Sequence, residues 1–245
     1  MMSFATVSFM EIIKKQYRYK LRAYSAVFTS FIVLQVIGLL FSTTMTGSAA
    51  GGSIGIDYQM TYYTNDVQLI FTFIWIFTSA LLLTTTAYRN DDLTFVSTRL
   101  SSSISNIAFL ATASIIGAIF TWLSHYFLYV VIYVVTGQQL VLETDALTVF
   151  DIAIGVVITM LYILLISSAG YFVGVLGQVH KAFRIIIPAI VFGIMINSIN
   201  VPIVQNITAF FGMESSFLLF TLKVFIVSGA LFYSATFLMN RLEGK

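Results

Sequence analysis

The chain has no cysteine, which excludes disulfides, thiolate metal sites and a cysteine nucleophile. Charge is scarce too, with only 9% of the 245 residues being Asp, Glu, Lys or Arg. The two histidines, His125 and His180, stand far apart and without carboxylates at ligand spacing, so a metal site has little support. No Gly-x-x-x-x-Gly-Lys loop is present to cradle nucleotide phosphates, so this chain is not expected to hydrolyse ATP itself and would need a partner for that. The His-Glu-x-x-His zinc motif, the Gly-x-Ser-x-Gly nucleophile elbow and a Thr-Val-Gly-Tyr-Gly ion filter are likewise missing. No catalytic residue, cofactor site or nucleic-acid footprint is expected.

What remains is apolar: 59% of the residues are hydrophobic and the mean hydropathy is +0.96, more apolar surface than a soluble domain of this length can hide. One membrane domain over residues 1–245 is expected. A first span runs from Ala23 to about Phe41, too long for a signal-peptide core, and is expected to be retained. Further spans read as Val67 to Ala87, Ile104 to Val135, Phe150 to Leu176, Ile185 to Ile199 and Phe217 to Met239. The third is long enough to tilt or project, and the fifth is short.

Charge placement orients the set. Eleven of the 12 Lys and Arg residues fall in the N-terminal segment, around Arg89 and Arg99, around Lys181 and Arg184, or at the C-terminal end. The opposite loops carry Asp57, Asp66, Glu143, Asp145 and Glu214, with Asp151 at a span edge, and no Lys or Arg. The positive-inside rule then puts both termini in the cytoplasm. The exception is Lys223, about two turns into the last span, where a stem snorkelling to the headgroups is expected ahead of a substrate-binding role.

Phe4, Val7, Met10 and Ile13 recur at helical spacing beside Lys14, Lys15, Arg18, Lys20 and Arg22. This pattern predicts an interfacial helix with an apolar stripe and a basic face along the inner leaflet. Residues Ser42 to Asn65, rich in Gly, Ser and Thr, read as a flexible outer loop. After the short fifth span come Asn200, Pro202 and a second apolar piece, Ile203 to Phe211. An outer re-entrant hairpin and one long helix kinked at Pro202 both remain open. Gly170, Gly174 and Gly177 predict close helix packing. His125, in the third span, is expected to form hydrogen bonds between helices.

The segment Arg89 to Ser103 reads as a docking element. Asn90, Asp91 or Asp92 could cap a short helix, with Leu93, Phe95, Val96 and Leu100 on an apolar side and Arg99 as a cationic tip. Such a peg could fill a partner's groove, although a plain polar connector would occupy the same place.

This arrangement resembles the permease subunits of type-2 ATP-binding-cassette (ABC) exporters. The resemblance implies an all-α integral membrane protein with an N-terminal elbow helix (Ser3 to Arg22), six transmembrane helices, and a re-entrant outer segment at 200–216 between spans five and six. It also implies a first coupling helix at Asp91 to Ser102 and a second cytoplasmic contact at Gln178 to Arg184. Asp91, Asp92, Leu93, Phe95, Val96, Arg99, Lys181 and Arg184 would then be ATPase-coupling residues. Implied partners are two cytoplasmic ABC ATPase subunits, holding the ATP and magnesium, a second permease copy or paralogue, and membrane lipid, in a bacterial plasma membrane. The substrate is not specified. A non-transporting scaffold or sensor that anchors a cytoplasmic partner is the alternative.

Overall fold

The structure is a computed structural model that describes residues 8–44, 46–53, 56–63, 65–85, 88, 98–136, 148–179, 182–183, 202–214 and 216–242. In chain order these form α1 (Phe9–Ala23), α2 (Ser25–Thr44), β1 (Thr46–Ser53), β2 (Ile56–Tyr63), α3 (Asp66–Leu83), α4 (Arg99–Thr136), α5 (Val149–Val179), α6 (Pro202–Gly212) and α7 (Phe217–Leu242). Five helices, α2, α3, α4, α5 and α7, are long and apolar enough to cross a membrane. They match five of the six expected spans, and Ile185 to Ile199 lies outside the described residues. Large side chains such as Leu40, Val134, Leu218 and Tyr233 are at least 65% exposed, which suits lipid and not water.

The element ends have local causes. α1 and α2 are separated by Tyr24 alone, whose N–H still reaches the Lys20 carbonyl at 2.9 Å. α3 stops at Leu83, short of the expected Ala87, where the Thr84 and Thr85 hydroxyls donate back to the Leu81 and Leu82 carbonyls at 2.7 and 2.8 Å. Such back-bonding competes with the helical ladder. α5 opens on a capping box, in which the Asp151 N–H donates to the Thr148 hydroxyl at 3.3 Å and Asp151 Oδ2 accepts from the Thr148 N–H at 3.0 Å. α4 holds 38 residues, roughly 57 Å at 1.5 Å per residue, so it outruns a hydrocarbon layer of about 30 Å as its length predicts. α6 begins at Pro202, a first-turn position where the missing N–H costs nothing.

The expected flexible loop is instead an antiparallel hairpin, with Thr46 opposite Tyr63 and Ser53 opposite Ile56. Ile56–Tyr63 is rich in β-branched and aromatic residues, which favour extended backbone strongly enough to pair a Gly-rich neighbour. The all-α expectation therefore holds for the five candidate spans and not for the segment joining α2 to α3.

The core lies where the five long helices meet. Phe31 and Trp75 pack at 4.3 Å between centroids, and the Trp75 indole N–H donates to the Val27 carbonyl at 2.9 Å. Phe109, Leu110, Ile163, Tyr171, Phe232 and Ala235 belong to the same cluster. The packing role expected of the glycines holds for two of them. A Cβ at Gly170 would sit 2.8 Å from the Phe77 carbonyl oxygen, and one at Gly174 would overlap the Thr84 hydroxyl. Both let α5 lie against α3.

Candidate functional site

Two polar clusters stand at opposite ends of the bundle. The first joins α1 to α4 and α5. Ile13, Gln16 and Lys20 share the buried face of α1, spaced three and four residues apart. Lys20 is 0% exposed. Its Nζ donates to Asn106 Oδ1 at 2.5 Å, to the Ser105 hydroxyl at 2.8 Å and to the Ser102 carbonyl at 3.3 Å. Asn106 Nδ2 passes the chain on to the Tyr171 hydroxyl of α5 at 3.4 Å. Three residues back on α1, the Tyr17 and Thr112 hydroxyls lie 2.7 Å apart. Ser101, Ser102, Ser103 and Ser105 are buried; of these, Ser102 through its carbonyl and Ser105 through its hydroxyl receive the ammonium.

The expected assignment of Lys20 to the basic face of α1 is thus corrected, whereas Phe4 and Val7 of the expected apolar stripe lie outside the described residues. Met10 is 68% exposed, while the protein-facing row includes Gln16 and Lys20. A buried ammonium is tolerated only with oxygen acceptors around it, and the serine-rich start of α4 supplies them. The signal missed in the sequence is Ser101 to Asn106, which straddles the expected connector and the start of the third span and provides those acceptors.

Of the expected coupling residues, Asp91, Asp92, Leu93, Phe95, Val96, Lys181 and Arg184 lie outside the described residues. Arg99 is the first residue of α4, three positions before Ser102, and its neighbour Leu100 is 45% exposed. The Lys20 cluster therefore starts where the expected docking segment ends.

The second cluster is at the hairpin end, where α2, α3 and α4 meet, and no expectation covered it. Gln35 Nε2 donates to the Thr72 hydroxyl at 2.8 Å, and the Ser124 hydroxyl donates to Gln35 Oε1 at 3.0 Å. Thr72 and Thr121 hydroxyls are 2.9 Å apart. Gln68 Nε2 reaches the Gln35 carbonyl at 3.3 Å, and Asn65 Nδ2 the Thr121 carbonyl at 3.2 Å. Gln68 fits because Gly38 has no side chain; a Cβ there would meet Gln68 Oε1 at 3.0 Å. Among the described residues, Gln68 Oε1, Asn65 Oδ1 and Ser42 Oγ are buried without a partner. The cluster is uncharged, so it suits interhelical adhesion rather than proton or ion coupling.

Two single-residue expectations also change. Lys223 gains a protein partner that was not expected: its Nζ pairs with the Glu214 carboxylate and lies 4.3 Å from the centre of the Phe210 ring. With the Tyr162 hydroxyl donating to the Phe211 carbonyl at 2.9 Å, this holds α6 against α7 and α5. His125 sits edge-on to Tyr129 and Tyr126 of its own helix at 4.9 and 5.7 Å, and among the described residues it makes no hydrogen bond between helices. A furrow of about 590 Å³ along α7 is lined by Phe217, Leu218, Thr221, Leu222, Phe225 and Ile226 alone. One apolar helix face cannot enclose a polar substrate.

No protein-family model, curated protein or solved structure matches the chain.

Proposed function

We propose that this chain is the permease subunit of an ATP-driven exporter, with six spans, both termini cytoplasmic and α1 as its elbow helix. It forms the substrate pathway as a dimer and is worked by separate ATPase subunits docked on residues 89–103 and 178–184. One observation supports this reading above the others. Lys20 binds α1, the start of α4 and, through Asn106, α5 into a single unit immediately after the docking segment. A displacement of that segment then moves three helices together, which a plain connector has no need to do. Interfaces of packed helices switch between discrete arrangements, so a small push at such a joint becomes a rigid-body shift.

The test uses the absence of native cysteine. A single Phe95→Cys in the full chain, cross-linked in native membranes, is expected to capture a protein with a phosphate loop. The coupled ATPase rate of the purified complex should fall at least ten-fold when Phe95 and Arg99 are both replaced by Ala. Capture of no ATPase overturns the proposal. Capture of an ATPase whose turnover ignores both replacements favours the scaffold reading.

A further inference from the structure

With Lys20 committed to the bundle, the remaining cations of α1 form a separate surface. Lys14, Arg18 and Arg22 recur every four residues, with Lys15 beside them, and all four are exposed. They lie on the side of α1 opposite Ile13, Gln16 and Lys20. The one acid of the helix, Glu11, lies 3.5 Å from Lys15, with both side chains more than half exposed. That leaves Lys14, Arg18 and Arg22 as a row of net positive charge. Phe9, Met10 and Tyr19 are exposed on the same helix at 44%, 68% and 37%.

The seat of α1 decides what this row meets. Its contacts on α4 run from Ser102 to Thr112, about 15 Å of helix length. It therefore lies alongside the start of a span and not beneath it. It also ends one residue before α2 enters the membrane. A helix held sideways at that level turns its far face outward, into the layer of lipid headgroups around the protein. We infer that the Lys14, Arg18 and Arg22 face of α1 is a binding site for anionic phospholipid headgroups. The guanidinium groups take the phosphates in forked hydrogen bonds, and Met10 and Tyr19, which flank the row, rest among the upper acyl carbons. Bound lipid would brace α1 from outside while Lys20 holds it from within. The inference rests on the cytoplasmic placement of α1 proposed above, and not on transport.

The full chain, purified in detergent and mixed with equal phosphatidylglycerol and phosphatidylcholine, is examined by native mass spectrometry. The protein should retain phosphatidylglycerol in preference. Lys14→Gln, Arg18→Gln and Arg22→Gln combined should cut that preference at least ten-fold, each cation being worth about five-fold near a charged surface. The charge-conserving exchange Lys14→Arg, Arg18→Lys, Arg22→Lys should keep most of it, losing only part of the forked bonding. Should the triple neutral variant fail to fold, Arg18→Gln alone should cost about five-fold. Equal retention of both lipids by the native chain, or an unchanged preference in folded neutral variants, overturns the inference. So does a preference that appears only with a bound ATPase, since the row would then be serving a protein. A Lys14→Cys variant labelled by an impermeant maleimide in right-side-out vesicles separates the two failures. Labelling there refutes the placement of α1, whereas protection with no lipid preference refutes the site alone.

Discussion

The two polar clusters solve the same problem, a hydrogen-bonding side chain inside an apolar bundle, in opposite ways. At the α1 end a single ammonium organises the site, and its three acceptors come from one turn and a half of α4. At the hairpin end amides and hydroxyls from three helices share neutral bonds; among the described residues three oxygens are left over there, and the Gln16 amide at the α1 end. A buried cation stripped of its acceptors is costly, whereas neutral interhelical bonds in membranes average only about 0.6 kcal/mol. The first site should therefore be rigid, and the second tolerant of rearrangement. The joint that fixes helices together is placed beside the expected input segment, and the one that lets them shift is placed at the far end.

The sharpest way to break this contrast is Lys20→Met. It removes the ammonium and strands Asn106 Oδ1, and should destabilise the chain by about 2–4 kcal/mol, read as a lower thermal midpoint in detergent. A change within error would show that the cation organises nothing. Next comes packing beside the joint. Gly170→Ala drives a methyl onto the Phe77 carbonyl and should cost about 1–3 kcal/mol, while Gly229→Ala, which meets nothing within 4 Å, should be neutral or slightly stabilising. Equal melting of the two variants would remove the case for close α3–α5 contact.

The hairpin-end cluster should respond unevenly. Gln35→Leu loses bonds to Thr72 and Ser124 and should cost about 1 kcal/mol. Gln68→Leu gives up one 3.3 Å bond and deletes an unpaired oxygen, so its effect should lie within about 0.5 kcal/mol of zero. The reverse order would mean that Gln68 Oε1 has a partner in the working protein. A comparably small effect is expected at Lys223 and Glu214, whose side chains are 26% and 19% exposed. A double-mutant cycle with Lys223→Met and Glu214→Gln should give a coupling below about 1 kcal/mol.

Most of the spanning architecture was legible in the sequence, because length and hydropathy alone decide whether a helix can cross a bilayer. The polar interior was not. Lys20 looks like its neighbours Lys14, Lys15 and Arg18 until α4 is laid against α1, and only then does the run from Ser101 to Asn106 become a set of acceptors. Gln35 and Gln68 were hidden by averaging, since one amide in a window of leucine, isoleucine and phenylalanine barely lowers its mean. The hairpin was misread because the glycines of β1 masked the strand-forming side chains of β2. Lys223 was correctly singled out, but its partner Glu214 depends on how α6 folds back, which no local pattern encodes.

That hairpin is rooted directly on the two helices that share the looser cluster: β1 follows α2 after one residue, and β2 leads into α3 after two. Eight residues of strand reach about 27 Å from those roots. If α2 slides against α3, the ribbon must lean, and a lean of about 10° would carry its far end roughly 5 Å. It is a pointer that magnifies a sub-helical slip into a displacement a spin label on Ser53 could register.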